Sequence, residues 1–116
     1  MKTLDEFLIL YFDTVMKNGE ASDSGDAKLS NKLYKKSNQL LQKIKYNYGL
    51  DTLIPYLNHQ NEYVKMAVAV NVFPIAQDEA KEAVENVYKT STNKLLSLQA
   101  KFILKEMDDS NSRFYK

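Results

Sequence analysis

One hundred and sixteen residues, 44% hydrophobic and 27% charged, suit one domain able to bury about two-thirds of the surface of its unfolded chain, away from disordered, collagen-like and membrane compositions. The absence of cysteine excludes a disulfide framework, a thiol nucleophile and a cysteine-bound zinc, and a single histidine, His59, excludes histidine clusters. Sixteen Lys and Arg against 15 Asp and Glu leave a formal charge of +1, so an electrostatic function must come from segregation of charge within the fold.

Strand-like alternation never persists, and the three glycines and two prolines sit where helices would end, so the chain reads as all-α. The first helix is predicted over Thr3–Lys17, with Leu4, Phe7, Leu8, Tyr11, Phe12 and Val15 on one face and Asn18-Gly19 as its stop; Glu20–Asp26 then reads as a polar connection. Its apolar stretch Phe7–Phe12 is only six residues, flanked by Asp5, Glu6 and Asp13, which suits neither a signal peptide nor a membrane span; the expected location is the cytoplasm. The second helix runs from Asp26 or Ala27 to Tyr48, with Leu29, Leu33, Ser37, Leu40, Leu41, Ile44 and Tyr48 inward and Gly49 closing it.

The third helix is short, near Asp51–Leu57, with Pro55 either in its first turn or at a local bend. Asn61 is the expected N-cap of the fourth, Glu62–Phe73, which is apolar almost all round and therefore the most buried; Pro74 stops it. The fifth covers Gln77–Lys89, with Ala80, Ala83, Val84, Val87 and Tyr88 inward. The sixth covers Asn93–Met107, with Leu95, Leu96, Ala100, Phe102, Ile103 and Leu104 inward. Residues 1–107 are thus read as one domain and 108–116 as a polar tail from which Phe114 and Tyr115 are able to dock.

A period of 32 residues relates the fourth and sixth helices: Asn61 aligns with Asn93, Val64 with Leu96, Val68 with Ala100 and Val72 with Leu104. The third helix then corresponds to the fifth, with Leu53 near Val84 and Leu57 near Tyr88, and the first two helices form a divergent first pair. Leu53-Ile54-Pro55-Tyr56-Leu57, the turn Asn58-His59-Gln60-Asn61 and Val64-Lys65-Met66-Ala67-Val68 resemble a HEAT repeat. Asn18-Gly19-Glu20-Ala21, Asn31-Lys32, Gly49-Leu50 and Phe73-Pro74 are similar to a family of small bacterial HEAT-like proteins of unknown function. The departures are Lys65, where arginine is usual, and Val68, where a second alanine is common. The resemblance implies a short HEAT-like α-solenoid, an α-α superhelix of about six helices in a right-handed stack of three hairpins, and assigns no activity.

Charge is segregated along this pattern. Lys28, Lys32, Lys35, Lys36 and Lys43 fall within about a quarter turn of the second helix, and no acid occurs between Lys28 and Lys45. Lys94, Lys101 and Lys105 of the sixth helix fall within about 40°, and Lys65 of the fourth lies close to the same line. Second helices line the concave face of helical-repeat solenoids, so Lys32, Lys35, Lys43, Lys65, Lys94, Lys101 and Lys105 are the candidate binding residues. Asp78, Glu82 and Glu85 make the outer side of the fifth helix acidic. A plain solvated face accounts for the same lysines, and the interleaved Tyr34, Tyr46, Tyr48 and Phe102 read as core rather than as stacking platforms.

No chemistry-bearing constellation emerges. His59 reads as a surface turn residue without triad partners. Glu79, Glu82 and Glu85 lack the histidine or second-helix carboxylate that helical metal sites use, and Asp78 and Glu79 suit a helix N-terminus. Asp23-Ser24-Gly25-Asp26 is too short for a calcium loop, and no glycine-rich phosphate loop follows a strand. The expectation is a non-catalytic module needing no cofactor or metal, which binds another protein with an acidic surface, as an immunity or adaptor protein does. Nucleic-acid backbone binding is the alternative; the near-zero net charge, the single arginine (Arg113) and the absence of tryptophan count against it.

Overall fold

The computed structural model of the chain describes residues 2–109 and Phe114. These residues form α1 (Leu4–Asp23), α2 (Ala27–Asn47), a 3-10 helix (Leu50–Asn58), α3 (Glu62–Val72), α4 (Gln77–Thr90) and α5 (Lys94–Asp108), with no strand among them. They divide into two compact units, one ending at Thr52 and the other beginning at Leu53, inside the 3-10 helix. No described helix is long and apolar enough to cross a membrane.

The first unit is the hairpin of α1 and α2. Thr3 opens α1 with a capping box: its hydroxyl accepts the Glu6 N–H while the Glu6 carboxylate accepts the Thr3 N–H. Phe7, Leu8, Tyr11 and Val15 are buried on one face of α1, and Ser37, Leu40, Leu41 and Ile44 on one face of α2. Ser30 donates to Asn18 near the turn, and at the opposite end Phe7 meets Tyr48 edge-on while the Tyr48 hydroxyl donates to the Lys2 carbonyl. The hairpin is therefore tied at both ends.

Here α1 runs six residues beyond its expected stop. Gly19 in a helix interior costs about 1 kcal/mol relative to alanine, but continuing the helix buries Ala21. A complete C-terminal closure also exists further on: the Asp26 N–H reaches the Ala21 carbonyl, the Ser24 hydroxyl donates to the same carbonyl, and Gly25 takes φ +80°. The connection thus shrinks to Ser24–Asp26, and the Asp26 carboxylate caps α2 by accepting the Leu29 N–H. Gly49, at φ +98°, ends α2 as expected. Leu29, expected inside, is exposed in the first turn of α2, where Ser30 instead faces α1 through its bond to Asn18.

In the second unit the expected third helix is a 3-10 helix, nine residues long, with Leu53 and Leu57 buried. Pro55 lies in its interior, not its first turn; lacking an N–H, it cannot join an α-helical ladder, and its ring would press on the preceding turn's carbonyl. Helix α3 is buried on several sides through Val64, Met66, Val68, Ala69 and Val72. Ala80, Ala83, Val84 and Val87 of α4 and Leu96, Ala100 and Met107 of α5 complete the core, with α4 packed on both α3 and α5. Phe73 is fully buried, and Phe114 stacks against it edge-on at 5.2 Å, so this part of the predicted tail does dock; Tyr115 lies outside the described residues.

The 32-residue period appears in the turns as well as in the helix faces. Asn61 caps α3 by accepting the Tyr63 and Val64 N–H groups, and Asn93 caps α5 by accepting that of Leu96. Two residues before each cap, a side chain accepts the cap residue's own N–H: His59 Nδ1 from Asn61 at 2.9 Å, and Ser91 Oγ from Asn93 at 3.1 Å. Two further bonds join the turns: Asn93 Nδ2 donates to the Tyr63 hydroxyl at 3.1 Å, and Ser91 Oγ donates to Glu62 at 3.0 Å.

Two stability predictions follow from the turns. Gly25→Ala and Gly49→Ala should each cost about 1–2 kcal/mol from the left-handed φ alone. Gly49→Ala should cost the more, because its Cβ would stand 2.5 Å from Asp51 Oδ1 and force that carboxylate aside, whereas nothing lies within 4 Å at Gly25; urea midpoints compare them, and equal midpoints would contradict the contact. Asn61→Ala should cost about 1 kcal/mol for its cap. Asn93→Ala should cost about 0.5–1 kcal/mol more, through the Tyr63 bond, and that excess should vanish in a Tyr63→Phe background.

Candidate functional site

On α2 the buried residues leave Lys28, Lys32, Lys35, Lys36 and Lys43 pointing to solvent, all exposed. None of them makes an ion pair among the described residues, where the ion pairs are Lys17 with Asp13 and Lys81 with Asp108. Tyr46, 92% exposed, falls at the same helical angle as Lys28, in the middle of the lysine arc. Lys28 and Lys36 each stand four residues from Lys32, a spacing at which like charges oppose helix formation by about 0.2–0.5 kcal/mol per pair. This face therefore holds a cation row that weakens its own helix and has no carboxylate to offset it.

The aromatics among the lysines are not core. Tyr34, Tyr46, Tyr48 and Phe102 are all exposed to some degree, as is Tyr88 on α4. The reason on α2 is positional: Ser37, Leu40, Leu41 and Ile44 already fill the arc that α1 covers, and Tyr46 lies nearly opposite it. On α5, Leu95 and Phe102, both expected inward, are exposed together with Leu98, while Met107 is fully buried. Leu98 and Met107 were not singled out by the sequence pattern, although the spacing of Leu95, Leu98 and Phe102 at i, i+3 and i+7 marks one stripe of a helix.

Of the remaining candidate lysines, Lys94, Lys101 and Lys105 are exposed on α5 with no ion pair among the described residues. Lys65 differs. It is half-buried, and its ammonium donates to Asn86 Oδ1 of α4 at 2.6 Å. It lines a cavity of about 500 Å³ between the 3-10 helix, α3 and α4. Ile54, Pro55, Leu57 and Ala83 give this cavity an apolar side, and Asn58, Glu79 and Glu82 bring polar groups to it. Two of the acids considered for chemistry, Glu79 and Glu82, thus meet beside a lysine rather than beside a metal ligand, and Glu85 does not line the cavity. No group of three or more His, Asp or Glu able to hold a metal ion occurs among the described residues. His59 is half-buried in the turn before α3, its Nδ1 occupied by the Asn61 N–H.

Within each unit, then, the fold groups the predicted residues differently: Lys32, Lys35 and Lys43 share the α2 face, Lys94, Lys101 and Lys105 share the α5 face, and Lys65 belongs to the cavity. Comparison with known protein families, with curated proteins and with solved structures finds no match to this chain.

Because Lys32 is surrounded by like charge and has no partner among the described residues, Lys32→Glu should leave folding stability unchanged or raise it by up to about 0.5 kcal/mol. Chemical denaturation checks this; a loss above about 1 kcal/mol would mean that the lysine row holds the fold together.

Proposed function

We propose that the chain is a non-catalytic protein-binding module, a short HEAT-like α-solenoid pairing α1 with α2, the 3-10 helix with α3, and α4 with α5, and that it meets an acidic protein surface in the manner of an immunity or adaptor protein. The α2 face carries the reading. Its lysines are exposed and lack ion pairs among the described residues, and they cluster at a cost in helix stability that a negatively charged partner would turn into attraction. Tyr46 adds to that face a rigid aromatic of the kind enriched at protein interfaces. The matching caps and turns at a spacing of 32 residues support the solenoid, whose second helices would line the binding surface.

Nucleic-acid binding is the second reading, favoured by the same placement of Tyr46 among lysines, since a base stacks on an exposed ring while ammonium groups follow phosphates. The protein reading is preferred because exposed Leu29, Leu95 and Leu98 offer aliphatic area that a phosphate backbone does not use.

Affinity capture from nuclease-treated host lysate tests the proposal, comparing the natural chain with a Lys32→Glu, Lys35→Glu, Lys43→Glu variant. The expected result is a stoichiometric acidic protein retained by the natural chain and reduced about tenfold or more by the variant. Failure to recover any partner, or recovery unaffected by the three substitutions, overturns the proposal. Tight binding of purified duplex or single-stranded DNA at about 150 mM salt, lost in the variant, replaces it with the nucleic-acid reading.

A further inference from the structure

In the register set by the two caps, Tyr63, Met66 and Val70 of α3 correspond to Leu95, Leu98 and Phe102 of α5, each pair 32 residues apart. On α3 this row is largely covered: Met66 is buried, Tyr63 and Val70 are half-buried, and the Tyr63 hydroxyl accepts from Asn93 at the start of α5. The equivalent row on α5 has no such cover among the described residues, and Leu95, Leu98 and Phe102 are 56%, 49% and 54% exposed. The same apolar stripe is thus covered on α3 and open on α5.

Charge specifies what fits there. Lys94, Lys101 and Lys105 run along the Leu98 edge of the stripe, exposed and without ion pairs among the described residues. The opposite edge carries exposed Gln99 and half-buried Glu106. A second copy of the chain would bring three more lysines to the contact against Glu106 and Asp108, the latter already paired with Lys81, so self-association meets repulsion that an acidic occupant does not. The lysines span the twelve residues from Lys94 to Lys105, about 16 Å along α5, which three turns of a partner helix would follow.

We infer that α5 is the docking site for an acidic amphipathic helix of another protein, whose apolar stripe covers Leu95, Leu98 and Phe102 and whose carboxylates lie along Lys94, Lys101 and Lys105. This rests on the protein-binding reading above and gives it a second surface, of defined partner chemistry. The binding mode is a helix laid along an apolar stripe, with side chains at i, i+3 and i+7 as anchors.

The test uses the full chain and three synthetic 14-residue peptides: one with leucines along one helical face and glutamates elsewhere, one with lysine replacing every glutamate, and one with the acidic composition scrambled. Amide NMR shifts locate binding, and titration gives Kd. The acidic peptide should shift resonances of α5 and bind at least about tenfold tighter than either control. Lys94→Glu, Lys101→Glu, Lys105→Glu should weaken it about tenfold or more, as should Leu98→Ser, Phe102→Ser in protein whose thermal unfolding matches the natural chain. Shifts centred away from α5, indifference to either set of α5 substitutions, or equal binding of the lysine peptide overturns the inference. So does concentration-dependent dimerisation abolished by Phe102→Ser, which would make a second copy the occupant. If host capture yields a partner that only the α2 substitutions release, the general binding reading survives and the α5 assignment falls.

Discussion

The Asn93 amide accepts the Leu96 N–H through Oδ1 and donates from Nδ2 to the Tyr63 hydroxyl, so one side chain both starts α5 and fastens that start to α3. Its own N–H is held by Ser91, whose hydroxyl donates to Glu62 in the first turn of α3. A helix N-terminus leaves four backbone donors without partners, and a cap that answers them from a fixed turn fixes where the helix begins. Here the turn is anchored on the preceding helix as well. The phase of α5 relative to α3, and with it which residues of α5 are covered, follows from this small group of hydrogen bonds.

The first unit reaches definition differently. Its hairpin is closed by backbone geometry, with Gly25 supplying the left-handed conformation that lets the Asp26 N–H return to the Ala21 carbonyl. Asp26 then begins α2 at once, leaving no slack between the helices. Because α1 covers one side of α2 along its length, everything on the other side must tolerate water, and lysine does so well. Solvation alone, however, asks only for polar residues. It does not ask for cations at four-residue spacing with no acid among them, and that excess is what the proposed acidic partner would answer.

Helix existence, the all-α class and three of the caps and stops were legible because each rests on local chemistry: Asn61 and Asn93 as caps, Gly49 as a stop, and the alternation of apolar and polar turns. The errors arose where tertiary burial outweighed a local signal. Gly19 reads as a stop in isolation, yet burial of Ala21 and the better closure at Gly25 carry α1 through it. Tyr46, Leu95 and Phe102 read as core because apolar side chains usually are, and periodicity cannot say how wide an arc the neighbouring helix covers. The lysine arcs could be drawn from helical angles alone, but the diversion of Lys65 to Asn86 depends on where α4 lies, which no spacing within α3 encodes.

At the 32-residue spacing that relates α3 to α5, the lysines of α5 have no counterparts on α3. Thirty-two residues before Lys94, Lys101 and Lys105 stand Glu62, Ala69 and Phe73, an acid and two buried side chains. The apolar stripe, by contrast, does recur, as Tyr63, Met66 and Val70 against Leu95, Leu98 and Phe102. A helix that kept the stacking stripe only to solvate it would gain nothing from three cations along one edge, since apolar side chains are screened from water by cover and not by charge. Conversely, a terminal helix adapted to water alone would be expected to replace the stripe with polar residues, as capping repeats do. An apolar stripe edged by cations is what the proposed acidic helix would cover, its apolar face against Leu95, Leu98 and Phe102 and its carboxylates beside the lysines.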